Sequence, residues 1–338
     1  MSRRLQLIMI IFVVVLIMTI ISHAVAAWLG IETAPGGYWV LGPGNGKAST
    51  FMAGSSLSGD AILWPEIADS FNLRIEGWGV RGSSPSEWEH YQQGSHATLT
   101  ILVVSPYDLN EYFLSDHYAQ VVPFTQALAD LRKTPMNWDF YKRIVSTYPL
   151  AYARVPFPTA GRSDGVIRGI REKIQALISS MFARETEKSA TSSFTDPVSQ
   201  VEIKKGRITN WSPSLMLRRV VSMRMACEGK HGYNGPKHMA FLRMLRKGQE
   251  QGRVMVVVLP VSPAYVQEFV TSEVKGDFEA ALAEAKQSVP NAYWIRLDQV
   301  NELISNENFY DLVHMNPQGQ RMATDTLFTR FKEFTRPL

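Results

Sequence analysis

Two short runs of apolar, largely β-branched residues restrict the fold of this 338-residue chain more than any other feature. Residues 98–104 read TLTILVV, and residues 253–259 read RVMVVVL. Successive side chains of a strand point to opposite faces, so a strand that is apolar throughout has to be covered on both faces. Such strands are typical of parallel sheets with helices on both sides. The two runs therefore predict an α/β domain with a mostly parallel sheet.

The rest of the chain alternates between the two types of element and supports this fold class. Further strands are predicted at Ser49–Ala53, Leu73–Glu76 and Tyr293–Leu297, and helices at Ala61–Phe71, Ser86–Gln93 and Pro317–Phe334. We expect residues 48–338 to form one three-layer α/β/α domain. Residues 123–229 break the alternation and predict a mainly helical insertion, in which Ile167, Ile170 and Ile174 recur at helical spacing. The insertion is either a packing subdomain or a lid or partner-docking surface.

The N-terminus predicts export and a membrane anchor. Residues 5–29 form an apolar run that exceeds the ~20 residues a helix needs to cross the hydrocarbon core. Arg3 and Arg4 precede the run and favour a cytoplasmic N-terminus, so residues 1–29 are predicted to be a short cytoplasmic stub and a single-pass anchor in the inner membrane. The domain then lies on the periplasmic or extracellular side, joined through a Gly-, Pro- and Asn-rich tether over residues 30–47. A cleaved signal peptide stays open, because residues 24–26 read AVA.

Composition narrows the classes of partner. The net charge is only +4, from 35 basic and 31 acidic residues, so we expect no nucleic-acid partner, whereas an anionic lipid or polysaccharide fits. The single cysteine, Cys227, forms no internal disulfide. Glycines and a proline interrupt the stretch from Cys227 through His231 to His238, so a metal site is not predicted there. The chain has no P-loop or dinucleotide-binding glycine motif, and we expect no cofactor.

A serine cluster lies directly after the first strand of the domain. Gly54-Ser55-Ser56 precedes a predicted helix, and this position is at the carboxyl edge of the sheet, where α/β proteins build their sites. Backbone N–H groups at the start of the helix point toward a developing oxyanion. Serines at such a turn also cap helices, so the cluster alone leaves both interpretations open.

A second motif lies near the C-terminus. Asp311 and His314 are three residues apart, and Asn316-Pro317 follows. A carboxylate at this spacing can accept a hydrogen bond from one ring nitrogen, while the other nitrogen removes the proton of a serine. A serine hydroxyl is a weak nucleophile until such a base activates it.

Together the two motifs resemble those of the SGNH, or GDSL-type, hydrolases. The family's G-D-S matches Gly54-Ser55-Ser56, and its D-x-x-H matches Asp311 and His314. The resemblance spans about residues 48–110 and 230–335 and implies an SGNH-like sandwich with Ser56, Asp311 and His314 as its triad. Residues 79–83, GVRGS, resemble the second family block, which implies that the N–H groups of Ser56 and Gly82 hold the oxyanion.

One departure from the family pattern concerns the third block. The family has G-x-N-D after the strand, whereas this chain has Ser105-Pro106-Tyr107-Asp108, so Tyr107 stands where an asparagine donor is expected. A tyrosine hydroxyl can also donate to an oxyanion but reaches farther, so Tyr107 is a third candidate oxyanion residue. Loss of one oxyanion donor costs about 2.7–4 kcal/mol of transition-state stabilisation, which favours transfer to a positioned hydroxyl over rapid hydrolysis. Ser105 and Asp108 are candidate substrate-binding residues, together with Tyr265 and with His231 in a glycine-rich turn.

The membrane anchor and the serine-proline pair after the third strand resemble the branch of D-alanyl transfer proteins and alginate O-acetyltransferases. That resemblance implies a serine O-acyltransferase that moves an acetyl or similar group from an acyl donor onto an envelope polysaccharide, beside a membrane-bound O-acyltransferase. Two alternatives stay open. One is an envelope esterase, and the other is a catalytically degenerate protein that binds polymer or acts as a scaffold in the same complex. The acyl group, the donor and the acceptor are not specified by the motifs.

Overall fold

The computed structural model describes most of the chain. The described residues are 3–29, 38–42, 48–78, 82–115, 117–134, 138–160, 166–167, 170–171, 173–175 and 213–335. They divide into two compact units, one comprising residues 1–36 and 143–194 and the other residues 37–142 and 195–338. The second unit contains the sheet and all the residues of the candidate site.

The first unit contains the N-terminal helix α1, Arg3–Leu29. Residues 8–29 of α1 are long and apolar enough to span a membrane. Large apolar side chains along this helix, from Ile8 to Ile21, are about half exposed or more, unlike those of a core helix. Near the end of the helix, the hydroxyl groups of Ser22 and Thr159 lie 2.8 Å apart.

The second unit is built on a six-stranded mixed sheet in the order β1-β3-β2-β4-β5-β6. The strands are β1 (Tyr38–Leu41), β2 (Ala48–Ala53), β3 (Leu73–Trp78), β4 (Leu99–Val104), β5 (Arg253–Val258) and β6 (Tyr293–Arg296). All neighbours are parallel except the edge strand β1, which runs antiparallel to β3. Parallel strands end at the same edge of a sheet, so the loops after β2, β3, β4 and β5 meet there.

The other helices of the chain follow in sequence order. They are α2 (Ser56–Ala61), α3 (Trp64–Ser70), α4 (Pro85–Gln92), α5 (Pro106–Leu109), α6 (Tyr118–Val121), α7 (Phe124–Lys133), α8 (Trp138–Arg154), α9 (Pro213–Cys227), α10 (Pro236–Gln251), α11 (Pro263–Phe269), α12 (Ser272–Ser288) and α13 (Pro317–Thr335). Of these, α8 continues from the second unit into the first. Three short 3-10 helices, Leu297–Gln299, Asn301–Leu303 and Asn306–Asn308, lie between β6 and α13.

The hydrophobic core has two parts, one on each face of the sheet. Along β4, Ile101 and Val103 belong to one cluster with Trp64 and Phe331, whereas Leu102 and Val104 belong to the other with Trp88, Phe241 and Phe278. Every residue of β4 is buried. The alternation of side chains therefore places apolar residues on both faces, as the run at 98–104 predicts. The α/β class and the mostly parallel sheet are confirmed.

Two local predictions are wrong in part. The predicted helix at Ala61–Phe71 is divided between α2 and α3, because the chain leaves helical geometry at Ile62 and Leu63. The next helix begins at Trp64, with Pro65 in its first turn. The predicted tether over residues 30–47 contains β1, whose sequence YWVL has strong β-propensity despite the glycines around it. In the insertion, α7, α8 and α9 agree with the helical prediction, while most of the stretch from Ser163 to Gln200 lies outside the described residues.

Candidate active site

The turn after β2 presents Ser56 at the sheet edge. Ser55 is the N-cap of α2: its hydroxyl accepts from the Leu57 N–H at 3.2 Å, and its carbonyl accepts from the Ser58 N–H at 3.1 Å. Ser56 is the first helical residue, and an N–H at that position has no acceptor within its own helix. Ser55 and Ser58 are buried, whereas Ser56 is half-buried. Of the three serines, Ser56 is therefore the one presented to solvent.

Close packing fixes the direction of this turn. A Cβ added at Gly54 would lie 2.6 Å from the side chain of Ser58 and 3.2 Å from Cβ of Val103. Glycine is therefore required where the chain leaves β2 and enters α2. The Ser58 hydroxyl donates to the Ser55 carbonyl at 2.8 Å, which ties the first turn of the helix to its cap.

The segment from Tyr310 to His314 is a closed turn that directs its two ionisable groups toward each other. The Tyr310 N–H donates to the His314 carbonyl at 3.1 Å. Asp311 Oδ1 accepts from the N–H groups of Val313 and His314 at 2.8 and 2.7 Å, which leaves Oδ2 to face the imidazole. The following Asn316 caps α13 by accepting from the Gly319 N–H at 3.0 Å. The Asn-Pro-x-Gly segment therefore has a structural role in starting the helix.

The two turns bring Ser56, His314 and Asp311 into one hydrogen-bonded line. Ser56 Oγ lies 3.1 Å from His314 Nε2, and His314 Nδ1 lies 2.8 Å from Asp311 Oδ2. Ser56 and His314 are 258 positions apart in the chain, so the contact depends on the tertiary fold. With the proton on Nδ1 held by the carboxylate, Nε2 has a lone pair directed at the serine. This arrangement can remove a proton from the Ser56 hydroxyl.

The Asp311 carboxyl is buried, and its environment keeps it ionised. Burial by itself raises the pKa of this carboxyl, but the hydrogen bond and charge of the His314 side chain and the two backbone N–H groups outweigh it, so the pKa lies below its ordinary value. Arg219 on α9 adds a positive charge, with Nη2 3.7 Å from Asp311 Oδ2. A helix of the predicted insertion therefore reaches the triad carboxylate.

A second carboxylate and a tyrosine lie on the serine-facing side of the imidazole. Asp60 Oδ2 is 3.9 Å from His314 Nε2. The Tyr310 hydroxyl donates to the same Asp60 oxygen at 3.0 Å. The Tyr310 ring also stacks on the imidazole, with centroids 5.4 Å apart and planes 11° apart. The imidazole of His314 therefore has a contact on three sides: Asp311 at Nδ1, the Tyr310 ring on its face, and Asp60 near Nε2.

Ser105 and Asp108 form a buried pair next to Ser55, which differs from their predicted role in substrate binding. Both side chains are buried, and they bond to each other: the Ser105 hydroxyl donates to Asp108 Oδ2 at 2.7 Å and accepts from the Asp108 N–H at 3.2 Å. Burial raises the pKa of Asp108 to about 6, and the nearby hydroxyl groups of Ser55 and Ser105 partly offset this. The pair caps α5 and supports Ser55, so neither side chain is placed to contact a substrate.

A buried lysine lies among the buried carboxyl groups near this turn. Lys237 Nζ donates to the carbonyls of Asn110 at 2.7 Å and Phe113 at 2.5 Å. Glu111 accepts from three backbone N–H groups around the start of α10, at 2.9 to 3.0 Å. Burial raises the pKa values of Glu87 and Glu111 to about 7, and the charge of Lys237 partly offsets the shift in each. These groups were not predicted, because burial of a lysine cannot be seen in sequence.

The two predicted oxyanion residues other than Ser56 occupy different surroundings. Gly82 follows β3 with φ of 72°, a conformation that favours glycine, and a Cβ added there would meet none of the described atoms within 4 Å. Residues 79–81, which join it to β3, lie outside the described part, and its role in an oxyanion site stays a prediction. Tyr107 is half-buried and packs its ring on Phe113 at 4.4 Å between centroids. The tyrosine thus has a packing role at the position of the missing asparagine.

His231 and Tyr265 do not join the triad. Tyr265 is fully buried and packs on Phe269, with centroids 5.0 Å apart, so its predicted contact with substrate is corrected: the side chain belongs to the core. His231 is half-buried between Phe113 and Phe269, and burial lowers its pKa. Its ring faces aromatic carbon atoms, which disfavours the predicted polar role. Among the described residues, no group of three or more His, Cys, Asp or Glu side chains is arranged to hold a metal ion.

Three residues near the triad were not assigned a role from sequence. Asp60 is four positions after Ser56 in the same helix, and this spacing places both side chains on one face, which is a usable signal. Tyr310 directly precedes Asp311. Arg219 belongs to a set of basic residues that resembles a solvated surface, and only the structure shows that it turns inward to Asp311.

No family model and no curated protein matches this chain.

Proposed function

We propose that this chain is a membrane-anchored serine acyltransferase of the SGNH type that forms an acyl-Ser56 intermediate on the outer side of the membrane. The observation that carries the proposal is the line of hydrogen bonds from Ser56 Oγ through His314 to Asp311, at 3.1 and 2.8 Å. Its position at the carboxyl edge of a mostly parallel sheet also supports it.

The first half-reaction transfers the acyl group to the enzyme. His314 Nε2 removes the Ser56 proton as Ser56 Oγ attacks the carbonyl carbon of a thioester or ester donor. The N–H groups of Ser56 and Gly82 stabilise the oxyanion. His314 then delivers the proton to the leaving group, and Asp311 stabilises the imidazolium that forms between these steps.

The second half-reaction passes the acyl group to a hydroxyl of a polysaccharide or another envelope polymer. His314 Nε2 accepts the proton of that hydroxyl, the new ester bond forms, and the proton returns to Ser56. Water as the acceptor would make the chain an esterase. Transfer is favoured by the resemblance of the motifs to the acyltransferase branch, and the ring of Tyr107, packed on Phe113, stands where the hydrolases have an asparagine donor.

We also propose a location and a partner. Residues 8–29 are long and apolar enough to span a membrane, and Arg3 and Arg4 before them favour an N-terminus in the cytoplasm, which would place the domain on the periplasmic or extracellular side of the inner membrane. The resemblance of the motifs supports a membrane-bound O-acyltransferase as the partner that supplies the acyl group.

Trapping the intermediate tests this function. The detergent-solubilised full-length chain is mixed with a slow activated ester, and the modified peptide is identified by mass spectrometry. The expected result is one acyl group on Ser56 in the native chain and in the Ser58→Ala control, and none in Ser56→Ala. An acyl group that persists in Ser56→Ala would contradict the proposal.

Two further measurements separate the alternatives. Product analysis with water and with a sugar acceptor distinguishes esterase from transferase, because only a transferase yields acylated sugar in preference to free acid. In cells, substitution of Ser56, Asp311 and His314 by alanine is expected to abolish polymer acylation. Acylation that is unchanged in all three variants would instead indicate a binding or scaffold protein.

A further inference from the structure

The carboxylate of Asp60 has no part in the triad mechanism, although it lies at the reacting side of His314. Asp60 Oδ2 is 3.9 Å from Nε2, which is too long for a direct hydrogen bond. Ser56 Oγ occupies the hydrogen-bonding position of the same nitrogen at 3.1 Å. The Asp60 side chain is 43% exposed, whereas that of His314 is 9% exposed. Asp60 therefore marks the solvent side of the nucleophile, from which an acceptor approaches.

Tyr310 fixes the carboxylate in this position. Its hydroxyl donates to Asp60 Oδ2 at 3.0 Å, and its ring lies against the imidazole. Asp60 is also on the last turn of α2, whose first residue is Ser56. The carboxylate, the nucleophile and the base are thus held by one short helix and one closed turn, so the spacing of the three groups is fixed before an acceptor binds.

The 3.9 Å between Asp60 Oδ2 and His314 Nε2 suits an acceptor molecule that brings two hydroxyl groups better than one that brings a single hydroxyl. An acceptor hydroxyl that attacks the acyl carbon on Ser56 has to donate its proton to His314 Nε2. A neighbouring hydroxyl of the same molecule can then donate to Asp60, because two hydrogen bonds of about 2.7–2.9 Å fit side by side on acceptor atoms at this separation. A simple alcohol makes only the first bond, and an anionic acceptor is repelled by the carboxylate.

We propose that Asp60 is the specificity-determining residue for the acceptor and selects uncharged polyols, such as a sugar with adjacent free hydroxyl groups. This inference rests on the proposed acyl-Ser56 mechanism and defines its second half. In that step the acceptor oxygen forms a C–O bond to the acyl carbon and its proton passes to His314 Nε2. The C–O bond to Ser56 breaks, and the proton returns to Ser56 Oγ. The Asp60 carboxylate holds the second hydroxyl through this step.

The test separates the two half-reactions. Acetyl-Ser56 is formed on the full-length chain with p-nitrophenyl acetate, and released nitrophenol reports acylation. The acetyl-enzyme is then mixed with glycerol or with ethanol, and the decay of acetyl-Ser56 is followed by intact-protein mass spectrometry. The variants are Asp60→Asn, which keeps an oxygen for the Tyr310 hydroxyl, and Tyr310→Phe, which frees the carboxylate but keeps the ring. The control Asp69→Asn removes an equal charge from an exposed residue on α3.

The expected result is a change in selectivity. The native chain and Asp69→Asn transfer acetyl to glycerol faster than to ethanol. Asp60→Asn lowers the glycerol-to-ethanol rate ratio about ten-fold, which corresponds to one charge-assisted hydrogen bond, and Tyr310→Phe lowers it by a smaller factor. An unchanged ratio in Asp60→Asn, with both rates lowered equally or not at all, overturns the inference and leaves the acyl-enzyme mechanism in place. No acetyl-Ser56 in the native chain overturns the mechanism and this inference together.

Discussion

Replacing Asp311 by asparagine is expected to reverse the tautomer of His314 without disturbing the fold. Asp311 Oδ1 accepts from the N–H groups of Val313 and His314 at 2.8 and 2.7 Å. An asparagine has one carbonyl oxygen, and these two donors hold it at the Oδ1 position. The amide NH2 then occupies the place of Oδ2, 2.8 Å from His314 Nδ1. Since this group can only donate, Nδ1 becomes the acceptor and the ring proton moves to Nε2.

The size of the effect follows from the loss of the base. With a proton on Nε2, the imidazole cannot take the Ser56 proton, and the variant also lacks the charge that stabilises the imidazolium. The corresponding change in a Ser-His-Asp protease lowers kcat about 10⁴-fold. We expect acylation of Ser56 to slow by about 10³- to 10⁴-fold, or about 4–5.5 kcal/mol in the barrier. The backbone hydrogen bonds of the turn persist, so the thermal midpoint should change little.

Stopped-flow release of nitrophenol from p-nitrophenyl acetate measures this rate for the native chain and the variant. Nitrogen-15 NMR of the histidine ring reports the tautomer independently, with the proton on Nδ1 in the native chain and on Nε2 in the variant. An Asp311→Asn chain that is acylated within ten-fold of the native rate would refute the reasoning. So would a slow variant whose ring proton remains on Nδ1.

Three further predictions concern the surroundings of the triad. Burial raises the pKa of Glu87 from 4.5 to about 7, so between these pH values the folded state retains a proton that the unfolded state has released. The contribution of Glu87 to the free energy of unfolding should therefore fall by about 3 kcal/mol as pH rises from 4.5 to 7. Urea titrations at several pH values should show a shallower slope in Glu87→Gln, while Glu111 and Asp108 keep their own contributions; a slope equal to that of the native chain would contradict the argument. Gly54→Ala places a Cβ within 2.6 Å of the Ser58 side chain, so it should lower the free energy of unfolding by about 1–3 kcal/mol and slow acylation of Ser56. Denaturant titration and burst kinetics on the same sample measure the two effects. Native values for both would contradict the packing argument. Tyr265→Phe removes a buried hydroxyl that has no hydrogen-bond partner among the described atoms. The free energy of unfolding should therefore stay the same or rise by about 1 kcal/mol, and the rate of acylation should stay within about two-fold of the native rate. A large loss of acylation would instead support the predicted contact of Tyr265 with substrate.

The strands of the sheet that are covered on both faces could be predicted from the sequence, because such a strand is a continuous run of apolar residues. The runs at 98–104 and 253–259 correspond to β4 and β5, which are paired in the centre of the sheet. The edge strand β1 was not predicted, since an edge strand is short and its glycine-rich flanks resemble a linker. The break between α2 and α3 was also missed, because apolar residues continue through Ile62 and Leu63.

The site was predictable only where the chemistry is local in sequence. Asp311 and His314 are three positions apart, and Ser56 lies in a recognisable strand-to-helix turn, so their convergence was expected. The approach of Arg219 to Asp311 joins positions far apart in the chain and has no local pattern. The burial of Ser105, Asp108 and Tyr265 depends on which side of the sheet edge each loop turns toward, and residue type alone does not determine this.

Fluorophosphonate labelling tests the central claim most directly, because the probe reacts covalently with a serine only where a neighbouring base activates it. The full-length chain is labelled at neutral pH, digested, and the modified residue identified by mass spectrometry. The account predicts a single adduct on Ser56, a much slower reaction in His314→Ala, and no adduct in Ser56→Ala. Continued labelling of Ser56→Ala, or a native chain that does not react at all, would contradict it.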